Sequence, residues 1–387
     1  MSNRAARRHP TTEASTRARS ASSIPRAGAP RATAAPSSEV DEPGALVVTH
    51  CFDSGDLGSL GGPATIHLTG RRLGAEGIRL PSDTFTQEDR VNGILPGSGP
   101  VAVTSCVYDL QPGEWEVTAE LVGPPRSGLG KRASAAPIRP ARWSWRRWAL
   151  TASDPVPVKT RWARLAPLGS IPGVIPGIWP LLGALAILVA LIVEGLMLPH
   201  ERIAGEVPLI VPLVALGSGL LAAKIWYAAL HPGPWRQALL GGWAVDGFLL
   251  AAPVVAVAIL LVLGLPVAAF LDAVTPGLFL GVAIGRIGCF LAGCCAGRVT
   301  TSRWGVWSSD RKIGARRIPA QLFESAAGLT IAALSTLLIL THVPRPDGVI
   351  FVGAFAVYLV IRQSLLRVRA ERREFLWRRA TAASLGV

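Results

Sequence analysis

Half of the 387 residues are hydrophobic, the mean hydropathy is +0.40, and 39 basic against 25 acidic residues give a formal charge of +14. So apolar a chain is not a purely soluble protein, and its length leaves room for two or three domains. The basic excess lies mostly outside the apolar runs, where arginines set membrane topology and touch anionic lipid; a nucleic-acid partner is not expected.

Residues 1–41 are rich in Ala, Arg, Ser, Pro and Thr and nearly devoid of large apolar side chains. They bury too little surface to offset ordering entropy and read as a disordered basic tail. With basic residues but no apolar h-region, this stretch predicts no cleavable secretory signal. Over 42–122 the pattern changes to short β-type runs at 45–51, 64–68, 101–110 and 115–122, divided by Gly/Pro/Asp clusters. A small β-sandwich-like domain is predicted there, with the default role of a binding or regulatory module. Cys51 and Cys106 are either an inter-sheet disulfide in an exported domain or two reduced core cysteines. Residues 123–172 form a basic, Pro- and Trp-bearing connector, in which ARWSWRRW at 141–148 has the look of a membrane-interface segment.

From residue 175 onward long apolar runs dominate. Spans are predicted at 175–198, 207–230, 239–263, 267–291, 318–340 and 349–366, each near the ~20 residues that cross the hydrocarbon. A break near Pro276 or Gly285 would change the count by one, so an α-helical polytopic membrane protein of about six to seven transmembrane helices is expected. A basic tail follows at 368–387. Polar residues inside the spans are where function is sought. Glu194 and Lys224 lie in the first two. Asp246 sits in GGWAVDG (241–247), and Asp272 opens the fourth span, where it suits a helix cap. Gln321 and Glu324 are one turn apart in IPAQLFE, and Tyr358 and Arg362 share a helix face.

The densest motif is GRIGCFLAGCCAG at 285–297. An arginine at the edge of a span costs about 2.5–3.5 kcal/mol on insertion scales, so it is retained for a purpose. Its planar fork suits phosphate, and Gly285 and Gly288 let a ligand or second helix approach closely. A membrane-embedded site for a phosphate-bearing lipid is the functional reading; a helix end whose Arg286 snorkels to the interface is the plain one. Cys289, Cys294 and Cys295 have no histidine at ligand spacing, so no metal site is expected.

GRIGCFLAGCCAGRVT at 285–300, WGV at 304–306 and RIPAQLFE at 317–324 resemble the prolipoprotein diacylglyceryl transferase family. That family carries a GRxGNF-type signature, a polar head segment, and a basic-Pro-Thr/Ser-Gln-Leu-Tyr-Glu motif opening the next helix. GGWAVDG resembles its GG…HGG motif, LDAVTPGLFL (271–280) its Asp-Ala-Pro stretch, and Tyr358–x3–Arg362 its final pair. The resemblance covers about 175–366 and makes 173–367 a transmembrane lipid-transferase-like domain.

It implies transfer of diacylglyceryl from phosphatidylglycerol to the lipobox cysteine of prolipoproteins in the plasma membrane, without a cofactor. The implied partners are phosphatidylglycerol and the prolipoprotein signal peptide. Arg286 and Arg362 would hold the phosphate, Tyr358 would donate to it, and Asp246 would stand where the family has its histidine. Gly285, Gly288, Cys289, Gly297, Gln321 and Glu324 would line the lipid site. Cys289 replaces the signature asparagine, Cys294 a usual acidic residue, Ala320 the Thr/Ser and Phe323 the tyrosine. These departures favour a second expectation, a catalytically silent relative that binds anionic lipid and engages a partner through its N-terminal domain. Basic residues cluster at 159–164, 298–317 and 362–379, which by the positive-inside rule puts the N-domain, head segment and tail in the cytoplasm, whereas the reaction the resemblance implies needs the head segment on the outer face.

Overall fold

A computed structural model describes residues 44–57, 64–74, 81–122, 135–203, 205, 210–230 and 244–370. The expected disordered tail and most of the basic C-terminal tail lie outside the described residues.

Strand β5 (Glu114–Val122) shows why this region is sheet. Trp115, Val117, Ala119 and Leu121 point inward while Glu114, Glu116, Thr118 and Glu120 face out, the period of two that a half-buried strand requires. The same alternation runs through β1 (Gly44–Asp53) and β2 (Ala64–Arg72). Four further elements follow the pattern less openly: β3 (Thr84–Val91), β4 (Pro100–Leu110), β6 (Ala135–Ser144) and β7 (Ala149–Ala152), with two-residue strands β8 (Val158–Lys159) and β9 (Arg161–Trp162) closing the region. Leu46, Val48, Phe52, Ile66, Leu68, Val103, Trp115 and Leu121 share one buried core, so both halves of the sheet contribute to it.

The sheet-rich region is joined in a single hydrogen-bonded path, β10 (Val306–Asp310)-β11 (Ile313–Arg317)-β4-β1-β6-β5-β2-β3. Strand β6 makes it continuous: residues 135–138 pair with β5, Cys51 and His50 of β1 pair with Arg139 and Pro140, and residues 141–144 pair with β7. Proline is confined to edges and irregular positions in sheets, and Pro140 sits where the strand changes partner. Cys51 stands opposite Ala102 and Cys106 opposite Val47, four positions apart along adjacent strands. That is about 13 Å at 3.3 Å per residue, beyond the reach of a disulfide, and both thiols are free.

His50 lies on the inward face of β1 and is 3% exposed. Burial lowers its pKa to about 4. The unfolded residue takes up a proton below about pH 6.5, whereas the folded one stays neutral down to about 4. Unfolding therefore takes up a proton across that window, and stability declines as pH falls through it. The expected outcome is a thermal midpoint of the full chain that drops between pH 6.5 and 4, with a shallower drop in His50→Leu.

The last two strands come from far along the chain. β10 (Val306–Asp310) and β11 (Ile313–Arg317) form an antiparallel hairpin, and β11 adds to β4 through Ile313↔Val103 and Gly314↔Ala102. Trp307 caps the junction: its Nε1 donates to the Pro100 carbonyl at 3.0 Å, and Trp143 stacks on it at 4.7 Å. Trp148 donates to the Trp307 carbonyl at 3.0 Å and stacks on Phe290. The tryptophans of the connector thus fasten the sheet to the helical region, each aromatic pair contributing about 0.5–1.5 kcal/mol beyond its buried area.

The helices are α1 (Ile178–Met197), α2 (Ile210–Leu230), α3 (Val245–Val262), α4 (Val267–Leu291), α5 (Ala320–Leu340) and α6 (Val349–Leu366). Each falls within its predicted span. Among the described residues five are long and apolar enough to cross a membrane; α3 is the exception, its apolar part being Leu250–Val262. A polytopic helical membrane protein results, with five clear spans among the described residues where about six to seven were expected. Leucines and valines facing outward on these helices, such as Leu188, Leu221, Leu261 and Val360, suit lipid rather than water. Lipid offers no hydrophobic drive for helix association, so small residues decide who packs with whom. A Cβ on Gly277 would sit 2.5 Å from the Ala190 carbonyl of α1, and one on Gly328 2.9 Å from the Phe279 carbonyl. These close approaches bring α1, α4 and α5 together, and α6 joins them against α5.

Asp272, expected to cap its own helix, caps α6 instead. Fully buried, it accepts the backbone N–H groups of Gly348 and Phe351 at 2.8 Å each. Arg345, paired with Glu201, lies beside it. This fixes one end of the bundle. The other end, about 21 Å away along α4 at 1.5 Å per residue, carries Arg286.

Candidate functional site

The carboxylate of Glu324 organises that end. It follows the IPAQ turn as the fifth residue of α5, seven residues past Arg317 at the end of β11, and it is fully buried. Its Oε1 accepts from Tyr358 Oη at 2.8 Å and Arg362 Nη1 at 2.5 Å, and pairs with Arg286 Nη2 at 2.9 Å. Its Oε2 accepts from Arg369 Nη2 at 2.5 Å. Tyr358 and Arg362 reach it together because they are one turn apart on α6. The Tyr358 ring rests edge-on against Phe279 of α4, 5.3 Å between centroids.

Three guanidiniums therefore meet one carboxylate, leaving an excess of two positive charges in a site where the arginines are 13–25% exposed. Isolated cations in such surroundings are costly, and an anion is the natural complement. Arg369 Nε is buried with no hydrogen-bond partner among the described residues, a donor left over after Glu324. Arg286 does not snorkel; its side chain is 16% exposed and ion-paired.

Four residues singled out in the sequence (Arg286, Glu324, Tyr358 and Arg362) thus converge on one point. Arg369 was not among them. It lies beyond the end of α6, where helical periodicity no longer applies, in what reads as one more basic residue of a tail. The signal that positions it is a short ladder: Arg298 N–H donates to the Val368 carbonyl at 2.9 Å and Ala370 N–H to the Ala296 carbonyl at 2.9 Å. Gly297 lies in that ladder opposite Arg369. A Cβ there would stand 2.1 Å from the Ile318 carbonyl, so no other residue fits without moving the backbone that leads into α5. Arg317 secures the same turn by donating to the Gly297 carbonyl at 3.2 Å. Burial lowers its pKa, and Asp310 beside it acts in the opposite sense.

The other expected residues divide. Gln321 Nε2 donates to the Cys294 carbonyl at 2.9 Å and holds the cysteine turn against α5. Gly288 lets Leu182 of α1 come close, 3.3 Å from where a Cβ would be, whereas Gly285 faces open space. Cys289 is buried, and its sulfur lies within 4.8 Å of those of Cys294 and Cys295. Asp246 falls in the first turn of α3, but its side chain lies outside the described residues.

The sequence model of the family described as prolipoprotein diacylglyceryl transferase matches residues 175–385, more than half of the chain. The chain belongs to this family. A phosphatidylglycerol–prolipoprotein diacylglyceryl transferase of Dehalococcoides mccartyi is 31% identical over 173 residues, covering 41% of this chain and 63% of that protein. The counterpart from a second strain is 29% identical over the same length. The phosphatidylglycerol–prolipoprotein diacylglyceryl transferase 2 of Clostridium perfringens is 47% identical over 57 residues, 14% of this chain and 22% of its own length. The chain thus spans just under two thirds of the Dehalococcoides relatives. The family is one of transferases, its membrane half corresponds to α1–α6, and the sheet preceding residue 175 lies outside the match.

Proposed function

We propose that this protein transfers the diacylglyceryl group of phosphatidylglycerol to the lipobox cysteine thiol of a prolipoprotein signal peptide, in the plasma membrane. The observation that carries this reading is the convergence of Arg286, Arg362, Arg369 and Tyr358 on Glu324. The acceptor supplies its own nucleophile, so the enzyme needs no catalytic Ser or Cys of its own. What it must supply is stabilisation of the negative charge that builds on phosphate as glycerol phosphate leaves, and two uncompensated guanidinium charges are suited to that. Glu324 holds the three forks in a fixed arrangement before the lipid arrives, which lowers the cost of reorganisation. Asp246 stands at the family histidine's place as the group to take the thiol proton.

A second reading, a silent relative that binds anionic lipid, draws support from the same carboxylate, since Glu324 engages every guanidinium of the cluster. The two readings separate in one assay. The purified protein is incubated with phosphatidylglycerol and a lipobox peptide, and the peptide is weighed by mass spectrometry. The transferase reading expects a thioether-linked diacylglyceryl adduct on cysteine; lipid retention without any adduct supports the silent relative.

A further inference from the structure

The three cysteines of the signature are drawn together by the turn that follows α4. Gly293 and Cys295 both adopt left-handed backbone, with φ of 66° and 54°. For a non-glycine residue that conformation is unfavourable and persists only where its surroundings impose it. Here they do: Cys294 N–H donates to the Cys289 carbonyl, Arg311 N–H to the Gly293 carbonyl, and Gln321 to the Cys294 carbonyl. The result is that all three Sγ atoms lie within 4.8 Å of one another, at a partly buried position. The expectation of no metal rested on the lack of a histidine at ligand spacing and took no account of how close the sulfurs come. Two adjacent thiols and a third six residues upstream, on the end of a helix, reach the same point only through a left-handed turn.

We propose that Cys289, Cys294 and Cys295 hold one zinc ion through their thiolates, leaving a fourth coordination position for the thiol that accepts the lipid group. At a Zn–S distance of ~2.3 Å a tetrahedral site has sulfurs roughly 3.8 Å apart, so each thiol needs to move by no more than about 1 Å. The ligand chemistry selects a soft or borderline d10 ion over Mg2+ or Ca2+, since no carboxylate belongs to the triangle. Charge supports it as well. A zinc tris-thiolate carries one negative charge and a phosphodiester another, and together they meet the excess of two on Arg286, Arg362 and Arg369. Arg286 and Cys289 lie one turn apart on α4. Three protein ligands with one open position is the arrangement of reactive zinc sites.

The role of the fourth position rests on the transferase reading. With zinc held by the three thiolates, the acceptor thiol would give up its proton to Asp246 more readily. Its sulfur lone pair then attacks the glyceryl carbon of phosphatidylglycerol, forming C–S as C–O breaks. The electron pair of that bond leaves on the oxygen of glycerol phosphate, held by the guanidiniums.

The test uses the full-length protein, purified in detergent without added metal. The expected result is about one zinc per chain by elemental analysis, with three sulfurs around it by X-ray absorption. In Cys295→Ser zinc falls by about tenfold or more. Should that variant misfold, the wild type decides alone: chelation releases zinc and opens the three thiols to alkylation, and added zinc closes them again. Metal-free protein with three reduced, alkylatable thiols overturns the site, as does a disulfide among them. Adding a lipobox peptide is expected to raise the sulfur count from three to four. If zinc binds but the count stays at three and no adduct forms, the transferase reading fails while the metal site stands. If zinc-free protein transfers lipid as fast as the loaded protein, zinc's role is overturned while the transferase reading stands.

Discussion

Arg286→Ala is expected to lower diacylglyceryl transfer by about 10²–10³-fold, the loss typical of one preorganised charge-stabilising donor. Arg286 sits near the end of α4, one turn before Cys289, and its fork is already held by Glu324 at 2.9 Å. The substitution removes one of two uncompensated positive charges and frees a lone pair of Glu324, so the remaining arginines are both fewer and less firmly aimed. The effect belongs on the chemical step rather than on membrane insertion, because removing a cation from a span makes insertion easier. Arg286→Lys should recover only part of the activity, since an ammonium keeps the charge but loses the fork that spans two oxygens. The check is the mass-spectrometric transfer assay at matched protein levels. Undiminished transfer by Arg286→Ala would remove the phosphate grip from the account.

Glu324→Gln is expected to cost about 3–5 kcal/mol of stability, the range found when one partner of a buried ionic cluster is removed and the other charge is left behind. Here the uncompensated side is unusually large. Three guanidiniums would face one another with only amide and phenol dipoles between them, and Tyr358 would lose the carboxylate that accepts its hydrogen bond. The interaction is shared, so the losses should not add. A double variant, Glu324→Gln with Arg369→Met, should be less destabilised than the sum of the two single variants, because the second change relieves repulsion created by the first. Thermal unfolding in detergent reads both. An unchanged midpoint for Glu324→Gln would mean that the cluster is hydrated or rearranged in the folded protein and does not hold the end of the bundle.

Much of the helical half was legible in the sequence because a membrane span announces itself by length and apolarity alone. The central polar residues were legible for the complementary reason, since a charge in such a run stands out. The β-region was read less completely. β3 has the composition TFTQEDRV, whose alternation is masked by polar residues on a sheet edge, and β6 carries two prolines that ordinarily argue against a strand. The head hairpin was hidden by contact order: Ile313 pairs with Val103, more than two hundred residues away. Arg369 and the sulfur triangle were missed for a related reason. Both depend on irregular backbone, a ladder through Gly297 and a left-handed turn at Cys295, and no periodicity in the sequence reports such geometry.

Complementation tests the central claim most directly. A bacterial strain depleted of its own prolipoprotein diacylglyceryl transferase is supplied with this chain or with its Arg286→Ala variant, at equal membrane abundance. Restored growth and lipid-modified prolipoprotein with the wild type, and neither with the variant, is the result expected. Unmodified prolipoprotein accumulating with both, in cells that hold the folded protein in the membrane, would contradict it.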